Sequence, residues 1–236
     1  MSSTSTDGQP SNRDLLLPYL APYAAYVGVA ALCQGRVSHE VDYCARLATA
    51  GALLGVFWRR YVSLRGPGSR LTSCLTGVAA GVLGVGLWIG LLAPFVDATD
   101  GAPWSGRAFA LRLLAAALLV PLFEELFLRG YVLRILVQWG RVRATGVTDP
   151  LGVVLFERSI SSVQPGAWTA TAVLLSSLAF ALGHAPVQLP AAFAYGVLMA
   201  CLWILRRDLL TCVVAHGTTN LVLYTYVYAS GSWALF

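Results

Sequence analysis

Seven long apolar runs leave this chain few ways to fold. A helix that crosses a bilayer needs about 20 mostly apolar residues. Residues 15–33, 45–58, 71–96, 108–128, 168–184, 189–205 and 209–229 supply seven candidates, the second of them short. Hydrophobic residues make up 57% of the 236 and charged residues 11%. A soluble domain carries roughly 45–50% and about 25%. A globule of this size still exposes much of its surface and could not hide such an excess, and disorder requires the opposite composition. The sequence therefore predicts an all-α, polytopic transmembrane helical bundle of about seven spans. The count becomes eight if residues 131–139 or 151–165 insert separately.

All 16 basic residues are Arg, and the net charge is +5. They sit in short gaps between apolar runs rather than on one soluble face, which argues against nucleic acid as a partner. With the N-terminus inside, 12 arginines fall on the inner side and Arg36, Arg46, Arg107 and Arg112 on the outer side. That asymmetry favours N-in and, for seven spans, C-out. Residues 1–14 read as a disordered polar tail, 15–104 as accessory membrane helices and 105–236 as the functional core. The five cysteines have no metal-ligand spacing and read as small buried thiols. Gly51/Gly55, Gly77/Gly81 and Gly86/Gly90 are small-xxx-small spacings. They predict close helix packing within the bundle, with a homodimer face as the alternative.

Polar side chains inside apolar runs carry the functional information, because a charge at mid-helix costs about 2.5–3.5 kcal/mol on insertion scales. Three clusters stand out. Glu124 and Glu125 are adjacent, so they point about 100° apart on a helix. Glu125 and Arg129, four residues apart with the acid first, form a favourable helical ion pair. That leaves Glu124 to face elsewhere; a carboxylate held out of water is a stronger base. A purely structural ion pair at a helix end, with Glu124 reaching to the interface, would explain one acid comfortably and two poorly. The second cluster is Phe180–Gly183 followed by His184. The third is His216 with Asn220, on one face of the last span. His39, the remaining histidine, lies in a predicted polar loop.

The chemistry that fits is water activation. Glu124 and a neutral His184 would hold a water, with Glu124 as general base. His216 and Asn220 would donate to the oxyanion that forms on the attacked carbonyl. There is no G-x-S-x-G elbow. A zinc site built from the same His and Glu side chains is the rival mechanism, although no H-E-x-x-H is present. A proton-coupled transporter and a non-catalytic partner or immunity-type factor are the alternatives from other classes.

Glu124-Glu125-x-x-x-Arg129, Phe180-x-x-x-His184 and His216-x-x-x-Asn220, in that order on successive spans, resemble the CAAX-protease and bacteriocin-processing (CPBP, Abi) superfamily of intramembrane glutamic endopeptidases. The likeness covers roughly 105–236. Residues 124–134 and 216–233 are also similar to the CAAX prenyl protease-related branch linked to exosortase/PEP-CTERM sorting. The resemblance implies a membrane-embedded endopeptidase with catalytic Glu124, His184, His216 and Asn220, supporting Glu125 and Arg129, and no cofactor. It implies a membrane-associated protein or peptide substrate, with its C-terminal region as a candidate place for the cut, and a place in a bacterial inner membrane. One mismatch follows from the simple spans: Glu124 falls near the inner end of its helix and His184 near the outer end of the next. A shared site requires either that the fourth helix continue to about residue 139 or that the segment through Pro186 and Pro190 dip inward.

Overall fold

A computed structural model of the chain describes residues 9–96 and 103–235. Eight helices dominate it. They are α1 (Asn12–Cys33), α2 (His39–Phe57), α3 (Arg70–Leu92), α4 (106–143), the short α5 (150–157), α6 (Ala170–Ala181), α7 (Leu189–Arg206) and α8 (Leu209–Ser230). Among the described residues there is no strand. Asn12–Cys33, Arg70–Phe95 and Pro186–Arg206 are long and apolar enough to cross a membrane by themselves. Large apolar side chains such as Leu17, Val56, Leu83 and Leu205 remain exposed on the outside. Together these features describe an all-α bundle embedded in a lipid bilayer.

Local chemistry sets the helix ends. Ser11 and Asp14 form a reciprocal capping box, so α1 begins at Asn12. Asn12 is buried, donating to Gln138 Oε1 and the Val154 carbonyl at 2.7 Å each. The tail expected to be disordered through residue 14 is therefore ordered from at least residue 9; residues 1–8 lie outside the described residues. Pro22 has no N–H for the Pro18 carbonyl, and the Tyr61 hydroxyl donates there instead, at 2.9 Å.

The depth mismatch disappears because the fourth helix does continue. It runs without a break from Gly106 to Arg143, about 57 Å at 1.5 Å per residue, which places Glu124 at its midpoint. The next apolar helix, α6, stops after 12 residues at Ala181, too short to cross a bilayer by itself, so His184 is also drawn inward. Residues 131–139 are thus part of α4 and add no separate span.

The cysteines depart from expectation. Cys212 is buried, whereas Cys44 and Cys201 are exposed and Cys33 and Cys74 are partly so. In lipid an apolar side chain is stable on either face of a helix, so an apolar neighbourhood in sequence does not imply burial.

The glycines divide in the same way. Gly77 and Gly81 let α3 lie directly on α8: a Cβ at Gly81 would sit 2.6 Å from the Ala215 carbonyl oxygen. Gly51, Gly55, Gly86 and Gly90 face open space. The Gly81→Leu variant should therefore pry α3 from α8 and cost about 1–3 kcal/mol, read as a lower Tm in detergent. Gly86→Leu should leave the stability within about 0.5 kcal/mol of wild type.

Candidate active site

The site is built around α4, whose helical ladder is irregular at two places. Wide π-turns occupy Ala115–Leu119 and Leu126–Val132, on either side of the Glu124–Glu125 pair. Such turns concentrate at functional sites because they shift side chains out of their regular phase. Pro121 adds to the irregularity. In the first π-turn the Val120 N–H bonds to the Ala115 carbonyl. The next residue is Pro121, which has no N–H to offer to Ala116 or Ala117. α8 packs against this stretch. The Asn220 amide donates to the Ala116 oxygen at 2.8 Å. A Cβ at position 217 would lie 2.5 Å from the Ala117 oxygen, so only glycine fits there.

Beneath this contact lies a fully buried charge cluster. Glu125 Oε1 accepts from Arg129 Nη1 at 3.1 Å and from His216 Nδ1 at 3.0 Å. Arg129 Nη2 donates to the Gly196 carbonyl at 2.8 Å, and its guanidinium lies over the Phe180 ring at 5.5 Å. One ion pair thus holds α4, α6, α7 and α8 together. Because a carboxylate can only accept, the proton on His216 Nδ1 belongs to this bond. The other ring nitrogen, Nε2, faces Glu124 Oε2 at 3.9 Å, too far for a direct hydrogen bond.

His184 follows the last turn of α6. Its Nδ1 lies 2.9 Å from the Phe180 carbonyl. A carbonyl can only accept, so Nδ1 carries the proton and Nε2 of the neutral ring keeps a lone pair. The imidazole packs against Phe180 and Trp88, with centroids 4.6 and 5.5 Å away. The Tyr195 ring, pinned by its hydroxyl to Thr219 Oγ1 at 2.9 Å, supports His216 from the other side.

Glu124, His184, His216 and Asn220 all line one cavity of about 330 Å³. The structure therefore brings together the four side chains that three separate motifs single out. Glu125 and Arg129 stand behind that wall, both at 0% exposure. A second, smaller cavity of about 80 Å³ reaches Glu124 from between α1, α4 and α6, past Tyr23 and Phe127. Sequence reasoning missed the part of the main cavity wall supplied by the first three helices: Tyr26, Tyr43, Arg46 and Trp88. Their one signal was an arginine at the start of the second apolar run. Among the described residues, no group of three or more His, Cys, Asp or Glu side chains is placed to hold a metal ion.

Residues 106–222, about half of the chain, match the family described as type II CAAX prenyl endopeptidase Rce1-like. No curated protein and no solved structure gives a match. The matched segment begins with α4 and ends inside α8, so it contains each of the three motifs and the cavity they share. The chain belongs to the CAAX-protease (CPBP) family of intramembrane proteases.

Proposed function

We propose that this protein is a glutamic endopeptidase that cuts a peptide bond of a membrane-associated protein or peptide, using a water activated by Glu124. One observation carries the reading: carboxylate, two imidazoles and an amide, from two helices and the turn that follows a third, border a single cavity deep in the bundle. The 3.9 Å gap between Glu124 and His216 Nε2 is the kind of space a water can bridge.

Formal charge supports the assignment. Glu124, Glu125 and Arg129 together carry one net negative charge, so one further proton makes the buried cluster neutral, and burial strongly favours neutrality. Glu124 and His216 Nε2 are the two places where that proton can reside. In the reaction, a water held by Glu124 and the lone pair of His184 Nε2 gives its proton to Glu124 while its oxygen attacks the scissile carbonyl carbon. The oxyanion accepts from the Nε2–H of a charged His216, whose charge Glu125 balances, and from the amide proton of Asn220 that Ala116 does not use. Glu124 then passes its proton to the leaving nitrogen as the C–N bond breaks. The products are a new carboxyl terminus and a new amino terminus, with the enzyme restored.

Substrate reaches Glu124 laterally, from the lipid, through the notch beside Tyr23 and Phe127. The arginine asymmetry orients the N-terminus inside, in what the motif likeness suggests is a bacterial inner membrane. The Glu124→Gln variant serves as a trap: proteins retained by it and identified by mass spectrometry are the candidate substrates. Wild type in liposomes is expected to cleave them at the same rate in the presence of EDTA or 1,10-phenanthroline. Loss of cleavage with chelator, restored by zinc, would refute the metal-free mechanism.

A further inference from the structure

The catalytic cavity approaches Glu124 from one end of the bundle. From α4 it is lined by Arg112, Ala116, Val120 and Glu124, all in the first half of that helix. On a regular α-helix, residues 112 and 124 would be about 120° out of phase. The π-turn at Ala115–Leu119 takes up one extra residue, which sets the rotation back by roughly 100°. One face of α4 therefore follows the cavity for 12 residues, about 18 Å along the axis. The lining from α8 starts at His216 and runs toward the C-terminal end of that helix, as far as Tyr224.

Contacts between helices show that these portions share an end. Ser105, which caps α4, donates to Glu40 in the first turn of α2 at 2.7 Å. His39 stacks on Trp104 at 4.2 Å, and Phe109 on Tyr228 of α8 at 4.3 Å. A chamber of about 510 Å³ lies there, lined in part by Gln34 and Gly35 between α1 and α2, both exposed. It shares Tyr43, Arg46 and Arg112 with the catalytic cavity. The two spaces adjoin, and together they lead from Glu124 to this end of the bundle.

The opposite end is sealed. Beyond the Glu125–Arg129 pair, the second half of α4 is covered by the start of α1 and by residues 154–163. Tyr131 donates to the Asn12 carbonyl at 2.7 Å, and Gln138 to the Ser159 carbonyl at 2.7 Å. Arg134 donates to the carbonyls of Ile160 and Val163 at 3.2 Å each. Leu133 and Val137 are at 0% exposure between them. These buried contacts form a plug between Glu124 and the end at which α1 begins.

Charge tells which end faces which side of the membrane. Arg46 and Arg112 line the cavity, and Arg129 and Arg134 are buried. Of the other twelve arginines, Arg36 and Arg107 sit at the open end and ten at the sealed end, in the segments beside α1, α2, α3, α4 and α7. Arginine-rich loops and helix ends stay inside. The sealed end therefore faces inward and the open end outward.

We propose that the active site is served from the outer face of the membrane, and that its substrate is a membrane-anchored peptide whose scissile segment lies on that side. This rests on the peptidase reading above and adds a side to it. The apolar anchor stays in lipid at the notch beside Tyr23 and Phe127, and the segment to be cut threads the cavity. An extended peptide advances about 3.3 Å per residue, so about five residues cover the 18 Å from Glu124 to Arg112, where the chamber begins. Water enters by the same path, and the soluble product leaves by it.

The test is thiol labelling from known sides. Cys44, Cys74 and Cys201 are replaced by Ala; Cys212 is buried and is kept, and a protein with Cys212 alone sets the background. One reporter keeps the native Cys33, which lines the chamber. In the others Cys33 is Ala and a thiol is placed in the cavity, by Val120→Cys or by Leu223→Cys on α8, or beyond the sealed end by Thr145→Cys. Right-side-out and inverted membrane vesicles are treated with the impermeant reagent MTSET. Cys33 and either cavity thiol should react at least tenfold faster in right-side-out vesicles, and Thr145→Cys at least tenfold faster in inverted ones. Labelling in the cavity should lower cleavage of a trapped substrate at least tenfold relative to the same variant unlabelled. Cavity thiols that react faster in inverted vesicles, at equal rates in both, or in neither overturn the proposal. The use of two cavity positions on different helices guards against one variant failing to fold. Outward labelling without cleavage of any trapped protein by wild type removes the peptidase reading and leaves the orientation standing. Cleavage with inward labelling does the reverse.

Discussion

Replacing Glu124 by Gln is expected to lower kcat by about 10²–10⁴, the usual contribution of a general base, while the protein stays folded. Gln has the same shape but cannot take a proton from water. The fold should survive because Glu124 lies at the cavity edge, with its side chain 14% exposed, and its carboxylate comes no nearer to His216 than 3.9 Å, beyond hydrogen-bond distance. Removing it eliminates a buried charge rather than orphaning one. The same logic separates the other cavity residues. His184→Ala takes away a water ligand and one contact to the Phe180 carbonyl, so its effect should fall on rate. Asn220→Ala should act twice. It removes an oxyanion donor, worth about 10²–10³ in rate, and it leaves the Ala116 carbonyl without the partner it has because of Pro121. A lower Tm should therefore accompany the slower reaction in Asn220→Ala, and not in Glu124→Gln. Rates are read on trapped substrate in liposomes, and stability by thermal unfolding in detergent. Wild-type rates from Glu124→Gln would remove it from the mechanism.

The largest effect on stability is expected from the pair behind the cavity. Glu125 and Arg129 are both at 0% exposure. Arg129→Met would leave Glu125 with His216 as its remaining partner and would take the donor away from the Gly196 carbonyl. Breaking a buried pair in this way costs about 3–5 kcal/mol, because an uncompensated charge remains. Glu125→Gln together with Arg129→Met removes both charges and should cost less than Arg129→Met alone. The comparison requires only unfolding midpoints for the two variants and wild type. If Arg129→Met unfolds at the wild-type midpoint, the pair does not hold the four helices together. Activity should fall in both variants, since His216 loses the ionised acceptor that orients its ring.

Much of the fold was legible because insertion into lipid is simple physics. Apolar runs of the right length became helices, and the observed α1, α3, α7 and α8 begin and end within a few residues of the runs that predict them. The site residues were legible for the complementary reason. A carboxylate or imidazole in an apolar run is expensive, so it stands out without any knowledge of the fold. What the sequence hid depended on geometry several turns away. The π-turns of α4 have no compositional mark, yet they place Arg112 and Glu124 on one face. Pro121 was visible, but its consequence appears only when Asn220 of α8 is seen donating to the Ala116 carbonyl one turn before it. The cavity wall also crosses the boundary expected at residue 105, since Arg46 and Trp88 approach from helices far away in sequence. Exposure of Cys44 and Cys201 could not be read from their neighbours, because lipid accepts the same side chains as a core does.

The most direct test of the central claim is a single turnover in water enriched in ¹⁸O, with wild-type protein in excess over a trapped substrate. If a water activated by Glu124 attacks the peptide carbonyl, the new carboxyl terminus carries one ¹⁸O and the Glu124 side chain carries none. Label in the Glu124 carboxylate with an unlabelled new carboxyl terminus would show that Glu124 itself attacks and that water opens the resulting anhydride at the Glu124 carbonyl, which would contradict the account.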